Sequence, residues 1–234
     1  MDYVNRAQLT EAYYIEKIAM YFAGKMLVQA DSIEQRQFYC SMAEDEARHY
    51  RLFESLIGID LLPLEKLPFI QFLDRIVRES DKPVATFLVQ VVLEGWGLHH
   101  YQQLARYTTS VDLKDQLHRL LRDEAQHHSA GKIIFNELRL NPYQVLQLEE
   151  AISEVLAMVR CGPVVLLDAI ESVTGPLTRT SKTGIMDSIN AQESIELKVQ
   201  LLSRLIGSET MLRRFMALDK SAQKLKANTL EDAL

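Results

Sequence analysis

Two five-residue runs carry residue types suited to chemistry: Asp45-Glu46-Ala47-Arg48-His49 and, 78 positions later, Asp123-Glu124-Ala125-Gln126-His127. Residues three apart share one face of an α-helix, so each Glu-x-x-His aims a carboxylate oxygen and an imidazole nitrogen at one point in space. That is a donor set and spacing for a metal cation. A single copy means little, because such pairs arise by chance on solvated helix faces. The offset of 78 also relates Glu16 to Glu94, and each lies 30 positions before the glutamate of its own Glu-x-x-His. An internal repeat of two helical hairpins accounts for all six positions.

Helix rise converts this spacing into heights. At about 1.5 Å per residue, Glu16 lies ~21 Å before the turn at Ala30 and Glu46 ~21 Å after Ser32, so antiparallel helices bring both to one level. Glu94 and Glu124 match equally well. Glu11, the rival for the first position, misses that level by roughly 7 Å, more than one helical turn. Glu94 gives the strongest single signal. Histidines aside, it is the only charged residue between Lys82 and Arg106, in a helix as apolar as PVATFLVQVVL. An ionised carboxylate without a partner in such an interior is costly or takes up a proton, and a bound cation removes that penalty. Four glutamates against two divalent ions, completed by two neutral imidazoles, balance in charge.

The elements that must position these groups follow from periodicity. Apolar residues recurring from Ile15 to Leu27 predict a helix from about Asn5–Leu9 to Gln29, and Asp31 with Glu34 reads as a capping pair for a second helix reaching Ile57. Pro63, Pro68 and Pro83 break the pattern and leave room for a short helix over Phe69–Glu79, which makes this segment the crossover between hairpins. A third long helix is expected over Pro83–Tyr107 and a fourth from the Thr108-Thr109-Ser110 turn to Leu138. Beyond Asn141-Pro142, helices are expected over Val145–Val159, Pro163–Val173 and Gln192–Leu218, the last breaking at Gly207. GPLTRTSKTG, from Gly175 to Gly184, lacks apolar periodicity and reads as a mobile loop. The resulting expectation is an all-α chain: a bundle in residues 1–140 and a helical extension in 141–234 packed on it as one globular unit.

Composition agrees. Of 234 residues, 47% are hydrophobic and 25% charged, as in globular proteins, and 9 glycines with 6 prolines are too few for a turn-rich β fold. The formal charge of −6, with no concentration of Lys and Arg, disfavours a nucleic-acid partner. Cys40 and Cys161 form no Cys-x-x-Cys pair, which leaves a rubredoxin-like centre, a zinc ribbon and a disulfide framework without ligands. The start, MDYVNRAQLTEAYY, has neither a signal-peptide nor a transit pattern, so a cytoplasmic protein without a membrane association is expected.

With its paired glutamates and two Glu-x-x-His motifs, the chain resembles the ferritin-like dimetal-carboxylate superfamily, whose bundle carries this constellation. The resemblance covers roughly residues 10 to 135. It implies a ferritin-like four-helix bundle of two antiparallel hairpins joined by a crossover, with additional C-terminal helices outside it. It implies that Glu46 and Glu124 bridge two metals, that Glu16 with His49 completes one ion, and that Glu94 with His127 completes the other. Asp45 and Asp123 are expected behind the ligand imidazoles, fixing their tautomer and orientation.

The resemblance further implies two iron ions, with iron plus manganese or two manganese ions also compatible, that activate dioxygen to oxidise a small organic substrate. Without a nucleotide-binding glycine motif or cysteine cluster, electrons would come from an external ferredoxin or reductase. A homodimer is compatible. The alternatives are iron oxidation or peroxide detoxification of the ferritin and rubrerythrin kind, and a non-enzymatic helical interaction protein stabilised by its metals. About 90 residues follow Asn141, which weighs against a storage subunit.

Other residues are read more conservatively. Tyr101, seven positions after Glu94, is a candidate for a pocket or redox role, with core packing the commoner outcome. Gly97, like Gly95, leaves space for dioxygen or substrate, or for close helix packing. Met20, Phe22, Met26 and Trp96 are candidates for an apolar pocket. His99, His100, His118 and His128 read as surface residues, and Cys40 and Cys161 as buried thiols.

Overall fold

The computed structural model describes residues 3–57 and 67–206, and among these every regular element is helical. The chain divides into two compact units. One comprises Tyr13–Leu56 and Phe72–Gln144; the other is built from the described residues within Met1–Ala12, Ile57–Gln71 and Val145–Leu234. The division interleaves segments of the chain: the first turns of the first helix group with the residues from Val145 onward.

In the first unit, α1 (Tyr3–Gln29) and α2 (Ile33–Ile57) are joined by three residues. Their direction is antiparallel: the Tyr13 and Tyr50 hydroxyls meet at 2.6 Å, and farther along the Phe22 ring packs edge-on against Tyr39. Ser32 caps α2, its Oγ accepting from the Gln35 N–H at 3.2 Å while Gln35 Oε1 accepts from the Asp31 N–H. The expected Asp31/Glu34 pair is thus displaced by one residue. The reason is local: a Ser hydroxyl three residues before the N–H it accepts from satisfies a helix-start donor, worth about 1 kcal/mol.

After α3 (Pro68–Glu79), the chain winds continuously from Lys82 to Tyr107, but in three registers: α4 (Lys82–Ala85), a π-helical segment (Thr86–Leu93) and α5 (Glu94–Tyr107). The expected Pro83–Tyr107 helix is present, with its middle rewound. Across the π segment the Glu94 N–H bonds to Val89 O, five residues back. All residues from Thr86 to Val92 are buried. Ser110 then caps α6 (Val111–Glu137), accepting from the Leu113 N–H.

Side-chain pairs fix the topology. The packing of Phe87 on Phe135 and of Gln90 on Gly131 shows that α6 runs antiparallel to the π segment. Tyr39 reaches Gln90 and Phe53 stacks on Tyr101, so α2 and the Lys82–Tyr107 helix run parallel. Consecutive long helices can be parallel only if the intervening chain returns along the bundle, and α3 lies in that crossover. Two lysines tie its ends: Lys25 Nζ donates to Val77 O and Ser80 O, and Lys82 Nζ donates to Gln29 O and Asp31. Cations at these carbonyls complement the negative ends of α3 and α1. Phe22, Met26, Tyr39, Met42, Phe53, Phe87 and Leu117 fill the interior.

In the second unit, α7 (Pro142–Thr174) is one helix where two were expected, with Pro163 inside it. The segment read as a loop is largely α8 (Arg179–Ser188), because Thr178 Oγ1 accepts from the Ser181 N–H and starts a helix that composition alone does not signal. α9 spans Ala191–Leu205; the expected break at Gly207 and the helix to Leu218 lie outside the described residues. Among the described residues, no helix is long and apolar enough to cross a membrane.

Candidate metal centre

All six sequence-selected ligands converge inside the first unit. Glu16 comes from α1, Glu46 and His49 from α2, Glu94 from the first position of α5, and Glu124 and His127 from α6. None is more than 4% exposed. Glu11 stays outside the cluster.

The donor atoms form two overlapping groups, Glu16–Glu46–His49–Glu124 and Glu46–Glu94–Glu124–His127, each with its ligand atoms within 4.8 Å of one another. Glu46 and Glu124 belong to both. His49 Nδ1 lies 3.4 Å from Glu16 Oε2, 3.4 Å from Glu46 Oε2 and 3.2 Å from Glu124 Oε1. His127 Nδ1 lies 3.0 Å from Glu46 Oε1 and 3.7 Å from Glu94 Oε2. The two imidazole centroids are 6.3 Å apart.

The outer nitrogens are held crosswise. His49 Nε2 meets Asp123 Oδ2 at 3.3 Å, and His127 Nε2 meets Asp45 Oδ2 at 3.2 Å, so each aspartate serves the imidazole of the other helix. With Nε2–H donating outward, each Nδ1 lone pair points inward, the orientation a ligand requires. Arg48, partly exposed, pairs with both Asp45 and Asp123 and ties the two supports together.

The charge state of the cluster is divided. Burial, with repulsion from Glu124 and Glu46 overriding the nearby His49 imidazole, pushes the Glu16 carboxyl up to about 8. Burial and the same two neighbours push Glu94 well above the carboxylate range. Burial opposes charge on Glu46 too, but the close approach of the His127 and His49 imidazoles outweighs it and holds that carboxyl low. The histidines lose solvation yet are raised by their carboxylates, His127 to about 12 by Glu46 and Glu94, and His49 upward too by Asp123, Glu124, Glu16 and Glu46. The protein alone therefore retains protons where cations would replace them.

These residues fit a pair of cations. Glu46 Oε1, Glu94 Oε2, Glu124 Oε1 and both histidine Nδ1 atoms are buried without a hydrogen-bond partner, although native interiors satisfy nearly all such atoms. These five atoms lie together in the cluster and are the atoms a metal would take. Carboxylate and imidazole donors without thiolate suit iron or manganese.

A small cavity of about 30 Å³ opens on the carboxylate side, lined by the four glutamates with Ile15, Ile18, Ala19, Val89, Leu93, Gly97 and Tyr101. Gly97 belongs there because a Cβ would lie 3.3 Å from Glu124 Oε2 and 3.5 Å from Tyr101. Tyr101, fully buried, donates its hydroxyl to Glu16 Oε1 and stacks on Phe53. It thus serves the glutamate of the other hairpin, not Glu94. Met20 is half-buried and does not line the cavity. At about 100° per residue it lies ~40° to one side of Glu16, while Ile15, Ile18 and Ala19 lie to the other. Phe22, Met26 and Trp96 are core residues away from the lining.

Other residues depart from expectation. His128 is half-buried, with Nδ1 at 3.0 Å from Val91 O, and only His118 of the four histidines is fully exposed. Cys40 is exposed and Cys161 half-buried; Tyr39 and Met42 take the inward face of α2 beside Cys40. Sequence reasoning passed over Gln90, a fully buried amide one turn before Glu94, and Gly131, which lets α6 approach it. The signal for Gln90 was available: it is the lone amide in an otherwise apolar run.

No curated protein matches the chain. Residues 4–137, more than half of its length, match the ferritin-like domain. A buried, doubly shared Glu/His cluster inside a bundle with a crossover is what that match covers, and the chain belongs to the ferritin-like domain family.

Proposed function

We propose that this protein is a dinuclear metal oxidoreductase, with two iron ions held by Glu16, Glu46, His49, Glu94, Glu124 and His127. The observation that carries the reading is the set of five unsatisfied buried donor atoms in two groups that share Glu46 and Glu124. When bound, the ions supply redox chemistry toward dioxygen, the oxidant for a small organic substrate. Mixed iron–manganese or two-manganese occupancy fits the same donors.

The chain's own residues divide the remaining work. Asp45 and Asp123 hold both imidazoles at Nε2, which leaves each Nδ1 facing the cluster for a cation to replace its proton, and Arg48 neutralises the pair of aspartates from the surface side. Tyr101 fixes Glu16 by donating to one carboxylate oxygen, leaving the other directed at His49. Ile15, Ile18, Ala19, Val89 and Leu93 wall the carboxylate side with aliphatic surface, which admits small apolar molecules and keeps bulk water away. With two cysteines in the chain, neither in a Cys-x-x-Cys pair, electrons for repeated turnover would come from an external ferredoxin or reductase.

One observation favours a second reading, iron oxidation or peroxide removal. About 10–15 Å³ of such space takes one water molecule, so a cavity of about 30 Å³ fits a diatomic molecule or peroxide and no larger organic molecule without rearrangement. Oxygen-electrode measurements on protein loaded anaerobically with iron test both. Uptake that Glu46→Ala abolishes supports the redox reading, and absence of uptake or peroxide consumption by the loaded protein contradicts it. Uptake sustained by ferrous ions alone favours iron oxidation, whereas dependence on a reductant with an organic molecule favours oxygenation.

A further inference from the structure

The two cation positions have matched ligands but unmatched supports. Behind the Glu94/His127 position, Gln90 is fully buried and its amide is used at both ends: Nε2 donates to the His127 carbonyl at 3.1 Å, and Oε1 accepts from the Tyr39 hydroxyl at 3.1 Å. Gly131, one turn beyond His127, makes this approach possible. A Cβ there would lie 2.6 Å from Gln90 Cγ and 2.9 Å from the Gln90 backbone oxygen, so any side chain would force α6 away from the π-helical segment. The next residue on α6, His128, reaches Val91 O at 3.0 Å. Consecutive residues of α6, one of them a candidate ligand, are therefore pinned to consecutive residues of the segment that leads into Glu94.

The amide bridge and the glycine contact have no counterpart in residue type behind Glu16 and His49, where Tyr13 and Tyr50 pair instead of Val91 and His128. At the repeat offset of 78, Gln90 corresponds to Ala12, Gly131 to Phe53 and Tyr39 to Leu117. Ala12 has no group to bridge to a carbonyl, and Phe53, in place of Gly131, stacks on Tyr101. Glu16 is held instead through its own carboxylate, by Tyr101.

We propose that Gln90 is a positioning residue for the Glu94/His127 position alone: bridging Tyr39 and the His127 carbonyl, it sets the height of α6 against the π segment and makes the two cation positions unequal. The proposal rests on the dinuclear reading above. Gln90 touches neither cation nor substrate. It acts on the register of two helices, and a small error in register moves His127 Nδ1 and Glu94 Oε2 apart, while leaving Glu16, His49 and both shared glutamates in place.

The test is anaerobic titration of the full chain with Co²⁺, followed by its visible d–d absorption. Wild type should take up two ions. Gln90→Met, which keeps the length and removes the amide, should retain the first ion within about twofold and weaken the second roughly 10–100-fold, the usual consequence of losing an outer support of a metal ligand. Gly131→Ala should weaken the same ion by a different route, and adding His127→Ala to Gln90→Met should produce no further loss at the first. Circular dichroism and the melting temperature of the metal-free variants identify any that fail to fold, and Tyr39→Phe, which leaves the Gln90–His127 bond intact, then gives the intermediate variant. Equal weakening of both ions in a folded variant, or no weakening of either, overturns the role of Gln90. Failure of wild type to bind two ions overturns the dinuclear reading instead.

Discussion

In the first hairpin, α1 and α2 meet through the Tyr13 and Tyr50 hydroxyls; at the equivalent positions of the second, Val91 and His128 meet through a backbone carbonyl and an imidazole. The same substitution of means runs through both halves. A phenylalanine, Phe53, stands where the other half has Gly131, and an alanine, Ala12, where it has Gln90. The ligand types nevertheless repeat without change. Cation chemistry dictates which atoms must converge, whereas the helices can be held at the required height by aromatic packing, by a hydroxyl pair or by a buried amide. The first half holds its glutamate from the side chain, through Tyr101; the second holds its helix from the backbone, through the π segment.

The most destructive way to break this comparison is to remove a ligand that both halves share. Glu46→Ala should abolish tight binding of both ions, while Glu16→Ala and Glu94→Ala should each spare one; equilibrium dialysis with metal analysis reads the difference. The crosswise supports come next. Asp123→Asn should weaken the ion at His49 about 10–100-fold and Asp45→Asn the ion at His127, each sparing the other, as separate binding isotherms would resolve.

Two glycines sharpen the contrast in stability. Gly131→Ala should cost about 1–3 kcal/mol by overpacking, whereas Gly24→Ala, with nothing within 4 Å of the added Cβ in the interior of α1, should gain up to about 1 kcal/mol. Chemical denaturation of the metal-free variants measures both.

A smaller effect follows from protonation. Glu16, Glu94, His49 and His127 are all raised in the folded state, so the stability that each contributes is present below its unfolded pKa and lost as pH climbs through the folded one. Glu46 and Asp123 are lowered and act oppositely, losing their contribution as pH falls below the ordinary carboxylate range. The melting temperature of metal-free protein should therefore decline as pH rises from about 4.5 to about 8, the interval spanned by Glu16. Metal-loaded protein should lack that decline, since cations replace the protons.

What could be read from the sequence follows the same division. Glu-x-x-His spacing, the offset of 78 and the isolation of Glu94 are properties of single helices and of chain length, so they located the six clustered residues and the two aspartates. The π segment, the Gln90 bridge and the Gly131 contact depend on how one helix slides past another, which no local pattern records. Met20 lies off the cavity for a related reason: sharing a stripe with Glu16 does not say on which side of that stripe the cavity lies. The helix over Arg179–Ser188 was hidden because one capping hydroxyl, Thr178, outweighs a polar composition.

The central claim is that six side chains grip two cations between Glu46 and Glu124. Crystals equilibrated anaerobically with ferrous iron, measured at the iron absorption edge, test it directly. The account predicts two anomalous peaks per chain, about 3.5–4 Å apart, one beside His49 and Glu16 and the other beside His127 and Glu94. A single peak, or iron bound only at surface carboxylates with the cluster empty, would contradict it.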